Sequence, residues 1–130
     1  MPVTGSCCID TSVAVPFLNG ERELLERFTQ LQIWMPPVVA GELLYGAAKS
    51  SRAAENIAKV KAFVDDCLLL GWSLAVGEQY ATIKAVLKRE GRPIPENDLW
   101  IAAFAIAYDL PLATRDEHFD LVEGLDPQRW

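Results

Sequence analysis

The chain has 130 residues, with 18 acidic side chains, 12 basic ones and one histidine, which gives a formal net charge of −6. This length fits a single domain over residues 1–130, large enough to bury a hydrophobic core without disulfide bonds or a structural metal ion. Because 51% of the residues are hydrophobic and 23% are charged, the composition excludes a disordered or fibrous protein. The acidic balance also argues against a protein that captures nucleic acid by bulk charge, since such domains are usually basic.

The N-terminal segment has neither the basic region nor the long apolar stretch of a secretion signal. The longest uncharged apolar runs, 67–77 and 99–108, are shorter than the ~20 residues of a membrane span. We therefore expect no membrane segment and a cytoplasmic location. Cys7, Cys8 and Cys67 cannot all pair within the chain, and we expect buried reduced thiols rather than disulfides or a zinc site.

The first half of the chain alternates between predicted strands and helices. A strand over 3–9 ends at Asp10, a helical turn follows over 13–18, and an amphipathic helix covers 21–31. A strand at 33–35 precedes a helix that begins at the paired prolines and runs to about residue 50, and another helix covers 53–66. The pattern leaves open whether 67–70 ends that helix or forms a strand.

The second half of the chain continues the alternation. A helix over 76–90 ends at Gly91, and Asn97 is predicted to cap a helix whose body, 99–108, is apolar on all sides and therefore buried. Residues 111–114 are predicted to form a third strand, and 121–122 are a candidate fourth. Alternating strands and helices predict an α/β protein whose parallel sheet is covered on both faces.

Four acidic side chains follow predicted strands or lie on helices that pack against the sheet. Asp10 ends the first strand, Asp116 comes two residues after the third, and Asp98 lies at the start of the apolar helix. Glu42 is the only acid between residues 33 and 48, where a charge is costly without a partner. Each acid alone has a structural explanation as a cap or turn residue. Together, four carboxylates would repel one another unless a divalent cation bound them.

Four sequence blocks contain the four acids: Cys-Cys-Ile-Asp-Thr-Ser at 7–12, the segment 36–46 around Glu42, the segment 96–103 around Asp98, and the segment 112–119 around Asp116. Together these blocks resemble the PIN-domain ribonucleases, and most closely the VapC-type toxins of bacterial toxin–antitoxin pairs. The resemblance covers essentially the whole chain. It implies a PIN-like three-layer α/β/α fold with a central, mostly parallel sheet flanked by helices. It also implies an endoribonuclease that hydrolyses RNA phosphodiester bonds with a water activated by Mg²⁺ or Mn²⁺.

The resemblance also implies site residues and partners. The acids expected to be catalytic and to bind the metal are Asp10, Glu42, Asp98 and Asp116. Ser12 and Thr114 match the hydroxyl positions that usually orient these acids. Members of the family usually form homodimers and are inhibited by a small antitoxin protein, so both partners are expected besides the RNA substrate.

Several features stay open at the level of sequence. His118, the only imidazole, is better explained as a turn residue or a structural hydrogen bond than as a general base. Glu96 departs from the family pattern, and we favour a solvent-facing loop charge over contact with a metal-bound water. For Arg92 and Arg115, contact with RNA phosphates and a solvated surface are weighed equally. The alternative functions are a non-catalytic PIN-like module that binds RNA or a partner, and a phosphatase or DNA nuclease.

Overall fold

Five parallel strands form the central sheet of the computed structural model, which describes residues 5–130. Residues 3 and 4 of the predicted first strand lie outside the described residues. The sheet order is β3-β2-β1-β4-β5. In the register of the sheet, Cys8 of β1 lies between Trp34 of β2 and Leu112 of β4. The strands are β1 (Ser6–Ile9), β2 (Gln32–Met35), β3 (Leu68–Leu69), β4 (Leu112–Thr114) and β5 (Pro127–Arg129).

Six α-helices and one 3₁₀ helix connect these strands. They are α1 (Thr11–Leu18), α2 (Arg22–Phe28), α3 (Pro37–Ala48), α4 (Ala53–Asp66), α5 (Leu74–Arg89), α6 (Glu96–Ala107) and the 3₁₀ helix Glu117–Leu121. The connections from β1 to β2 and from β2 to β3 run outward in one direction, whereas α5 and α6 return the chain across the sheet to β4. Because parallel crossovers are right-handed, this reversal places α5 and α6 on the opposite face from α1–α4. The three-layer α/β/α architecture is as predicted.

The core lies on both faces of β1. Cys7, Cys8 and Ile9 are 4%, 0% and 0% exposed, as expected for a central strand of a sheet covered on both sides. Helix α6 is buried along most of its length, with six buried residues between Leu99 and Ala105. This confirms the prediction of a central helix, and its alanines let α6 approach the sheet closely.

All three cysteines are free thiols, as predicted from their number and spacing. Cys7 and Cys8 are buried and Cys67 is partly exposed. Burial raises the pKa of the Cys7 and Cys67 thiols to about 12. These groups are therefore packed as small apolar side chains. Within residues 5–130, no helix is long and apolar enough to cross a membrane.

Three local predictions from the sequence are wrong, and the structure decides whether residues 67–70 end a helix or form a strand. Helix α6 is capped by Pro95, not by Asn97, because the extended backbone of Pro95 ends the preceding loop and lets the helix begin at Glu96. Glu96 is therefore a helical residue and not a loop charge. Residues 121–122 do not form a strand: the 3₁₀ helix ends there, and the last strand lies at 127–129. Residues 68–69 form β3, whose Leu68 pairs with Trp34.

Candidate metal centre

Asp10 lies where β1 passes into α1, and its side chain is held by three hydrogen bonds. It caps α1 and is 3% exposed. The Oδ2 atom accepts hydrogen bonds from Ser12 Oγ at 2.6 Å, from Thr114 Oγ1 at 2.9 Å and from the Ser12 backbone N–H at 3.4 Å. All three fall on the same oxygen, which leaves Oδ1 as the atom available to a cation.

The hydroxyl groups of Ser12 and Thr114 tie the ends of β1 and β4 together. The backbone N–H of Arg115 donates to Ser12 Oγ at 2.9 Å, and that of Asp116 donates to Thr114 Oγ1 at 3.0 Å. Both hydroxyls in turn donate to Asp10. Each hydroxyl therefore accepts from the loop after β4 and donates to the carboxylate after β1. This arrangement fixes Asp10 and the backbone of Asp116 at the same edge of the sheet.

Glu42 reaches this edge from helix α3. Its Oε1 atom accepts a hydrogen bond of 2.8 Å from the hydroxyl of Thr11. Thr11 is a site residue that the sequence reasoning missed, although it stands between Asp10 and Ser12 in the first motif. A polar side chain at the first position of α1, directly after a candidate metal ligand, was the signal that could have indicated it.

Asp98 brings the first turn of α6 against the acids at the strand ends. Its side chain is 14% exposed. Burial, followed by the charges of Asp116, Asp10 and Glu42, raises the pKa of Asp98 to about 6, while His118 opposes the rise. The other three predicted acids therefore all lie close enough to Asp98 for their charges to act on it. The fold thus brings the four acids into one region.

The donor set fits a hard divalent cation. Carboxylate oxygens are the ligands that Mg²⁺ and Mn²⁺ prefer, and a cation removes the repulsion that raises the pKa of Asp98. The four acids lie around the ends of β1 and β4, the two neighbouring strands where the sheet order reverses. Ligands of open α/β sheets bind at such switch points.

His118 lies closer to the acids than the sequence indicated. Its Nδ1 atom is 3.0 Å from Asp116 Oδ1 and 3.5 Å from Asp98 Oδ2, although half of its side chain is exposed. Ligand atoms of these three residues all lie within 4.8 Å of one another. A partly exposed turn residue with a structural contact, as predicted, describes the ring beside Asp116, whereas its approach to Asp98 follows from the fold, which places α6 beside this turn.

Two charged residues near the site are engaged by other groups. Arg115 donates two hydrogen bonds to Glu21, at 3.0 and 2.6 Å, and one of 2.6 Å to the carbonyl of Trp130. Glu96 accepts hydrogen bonds from Tyr80 and Lys84, which hold its pKa below the usual value. Neither side chain is therefore directed at the four acids.

The chain matches known proteins over almost its whole length. The PIN domain family model matches residues 7–125. The chain belongs to the PIN-domain family. Ribonuclease VapC2 of Haemophilus influenzae is 30% identical to this PIN domain over 126 residues, which cover 94% of this chain and 96% of that protein. The tRNA(fMet)-specific endonuclease VapC of Shigella flexneri is 31% identical with the same coverage.

Solved structures agree on the fold of this PIN domain. VapBC-1 from nontypeable Haemophilus influenzae matches with a TM-score of 0.87 and 25% identity, covering 98% of both chains. DNA-bound VapBC from Salmonella typhimurium matches with a TM-score of 0.90 and 24% identity, covering 98% of this chain and 99% of that one. The predicted family, its VapC branch and its fold are thereby confirmed. The roles of the individual site residues stay predictions.

Proposed function

We propose that this PIN domain is a Mg²⁺- or Mn²⁺-dependent endoribonuclease and the toxin of a toxin–antitoxin pair. The observation that carries the proposal is the convergence of Asp10, Glu42, Asp98 and Asp116 at the switch point of the sheet, seen in the combined effect of the other three charges on Asp98. Relatives that match over almost their whole length are named as ribonucleases. We take residues 1–130 as one nuclease domain.

The four carboxylates would hold the cation, and each is supplied by a different part of the fold. When bound, the cation would lower the pKa of a water molecule and stabilise the charge that develops on the phosphodiester. Ser12 and Thr114 fix the orientation of Asp10 through hydrogen bonds to Oδ2, and Thr11 fixes Glu42 in the same way. Loss of such supporting contacts commonly lowers metal affinity by roughly 10–100-fold.

The net charge is compatible with RNA as the substrate once the site is considered separately. Setting the four carboxylates of the site aside changes the formal charge from −6 to −2. The surface is then close to neutral, so RNA is held by local contacts and not by bulk attraction. Arg92, which is exposed after α5, is the proposed phosphate contact. Arg115 is a second proposed phosphate contact. It ranks below Arg92 because its guanidinium already donates hydrogen bonds to Glu21 and to the carbonyl of Trp130.

A cleavage assay tests the proposed function directly. Purified protein is incubated with total RNA and with a panel of transcribed tRNAs that includes initiator tRNA, the substrate class in the name of the Shigella flexneri relative. Cleavage is expected with Mn²⁺ or Mg²⁺ and not with EDTA, and Asp98→Asn is expected to abolish it. The matched control is Glu78→Gln, which neutralises one exposed acid on α5.

The outcomes separate the alternative functions. RNA binding without cleavage would indicate a non-catalytic module, and cleavage of DNA or release of phosphate from a monoester would indicate a different nuclease or a phosphatase. Full activity in EDTA, or in Asp98→Asn, would refute the metal-dependent mechanism. Mapping the new 5′ and 3′ ends by sequencing identifies the RNA that is cut.

The antitoxin is proposed to bind beside the metal centre. A cleft of about 270 Å³ opens between α1, α3 and α4, with Glu42 at its edge and apolar residues such as Val15, Leu43 and Val60 along its walls. A matching solved structure, VapBC-5 from Mycobacterium tuberculosis, is described as a member of the VapBC family of toxin–antitoxin systems. We expect a small antitoxin to place apolar side chains here and to inhibit cleavage. Substitution of Val15 with Asp is expected to weaken inhibition, and light scattering tests the expected homodimer.

A further inference from the structure

The turn after β4 directs the only imidazole of the chain toward the metal centre. Asp116 caps the 3₁₀ helix and accepts a hydrogen bond of 2.9 Å from the backbone N–H of His118. This contact turns the chain back on itself, so that the side chains of Asp116 and His118 lie on the same side of the turn. Helix α6 closes the other side with Asp98. The turn therefore holds the backbone of His118 beside Asp116, with the ring within reach of Asp98.

The spacing of the three side chains is that of ligands around a common cation. Adjacent ligands in an octahedral site with bonds of about 2.1 Å are about 3.0 Å apart, and His118 Nδ1 lies 3.0 Å from Asp116 Oδ1. The distance from Nδ1 to Asp98 Oδ2 is 3.5 Å, and all three ligand atoms lie within 4.8 Å. The ring is half exposed, so it can turn by the few tenths of an ångström that equal bond lengths require.

We propose that His118 binds the cation of this PIN domain directly through Nδ1, beside Asp98 and Asp116, and so makes the site selective for Mn²⁺ over Mg²⁺. This inference rests on the proposed function, because it concerns the same cation. A nitrogen ligand discriminates between the two ions because Mg²⁺ favours oxygen ligands and keeps its waters, whereas transition-metal ions accept imidazole. The same ligand would make Zn²⁺ and Ni²⁺ tight competitors for the site.

Pulsed EPR of the Mn²⁺-loaded protein tests the proposal without reference to activity. A directly bound imidazole transfers electron spin to its nitrogen, so the wild-type protein, prepared without a histidine tag, is expected to show ¹⁴N modulation. His118→Ala is expected to lose this signal. In calorimetric titrations at about pH 8, the same substitution is expected to raise the Kd for Mn²⁺ about tenfold and to change the Kd for Mg²⁺ much less.

Matched variants separate ligation from a general effect on the turn. Glu117→Gln changes an exposed neighbour in the same 3₁₀ helix and is expected to leave both the ¹⁴N signal and the Mn²⁺ affinity unchanged. His118→Asn offers an oxygen in place of the nitrogen, so it is expected to lose the ¹⁴N signal while retaining Mg²⁺ binding. Circular dichroism melts confirm that each variant is folded.

Three outcomes of the EPR and titration experiments would overturn the role of His118. Mn²⁺ binding without ¹⁴N modulation in the wild-type protein would overturn the role of His118 and leave the four-carboxylate site standing. Equal losses of Mn²⁺ and Mg²⁺ affinity in His118→Ala would also overturn it, because they would indicate that the ring only positions Asp116. If the wild-type protein binds neither ion, the proposed function fails together with this inference.

Discussion

Replacing Asp98 with asparagine is expected to stabilise the metal-free protein while it removes divalent-cation binding. The pKa of Asp98 is raised from 3.8 to about 6, first by burial and then by Asp116 and Asp10. The folded protein therefore binds this proton more tightly than the unfolded chain does. The free energy of unfolding falls as the pH rises from about 4 to about 6, and it stays lower above that range.

The expected change in the free energy of unfolding follows from the change in the pKa of Asp98. Two pKa units correspond to about 3 kcal/mol, at about 1.4 kcal/mol per unit. Asp98 is partly accessible to solvent, which screens the repulsion from the other carboxylates. The charged form of Asp98 also interacts favourably with the dipole of α6, because it lies in the first turn of that helix, and this lowers the cost of ionising it. We therefore expect Asp98→Asn to raise the free energy of unfolding by about 1–2 kcal/mol at about pH 8 in EDTA.

Urea denaturation followed by far-UV circular dichroism measures this difference. At about pH 4 the wild-type and variant proteins are expected to have nearly equal stability, since Asp98 is then largely protonated in the folded state. Added Mn²⁺ is expected to stabilise the wild-type protein and not the variant. Glu78→Gln, the exposed control on α5, is expected to show neither effect. A variant that is less stable than the wild-type protein at pH 8 in EDTA would refute the reasoning.

Four further predictions concern the metal centre and the two arginines. Thr114→Val removes a donor to Asp10 Oδ2 and is expected to weaken Mn²⁺ binding 10–100-fold by calorimetry; an unchanged Kd would exclude a positioning role. The Kd for Mn²⁺ is expected to rise about tenfold for each pH unit below about 6, where protons compete for Asp98; a flat profile would contradict this. Arg92→Ala is expected to reduce the slope of log K for RNA binding against log salt concentration by about one. Arg115→Ala is expected mainly to lower the melting temperature, because the hydrogen-bond partners of Arg115 are within the protein.

The sequence predicted the helices with strong periodicity well and the short segments poorly. Helix α4 covers 53–66 as predicted, because its apolar positions repeat with a helical period over fourteen residues. Strand β5 has only three residues, includes a proline and lies at the edge of the sheet, so it has no alternating pattern to detect. The 3₁₀ helix itself was not predicted, although the explanation of Asp116 as a turn residue is consistent with its start, where the Asp116 side chain accepts from the backbone N–H of His118.

The sequence by itself determined the α/β alternation and the buried central helix, because these depend on periodicity. It also singled out the four acids, through their places after strands and on helices and through the resemblance to the PIN-domain family. Only the tertiary structure decided which groups act on those acids. Thr11 meets Glu42 across 31 residues and Thr114 meets Asp10 across 104, and His118 approaches Asp98 because α6 packs beside the turn after β4. The loop after β4 also brings Arg115 to Glu21, which precedes α2. Contacts between distant residues follow from the order of the strands and the packing of helices on them. The hydrophobic pattern of a short segment does not predict either of these.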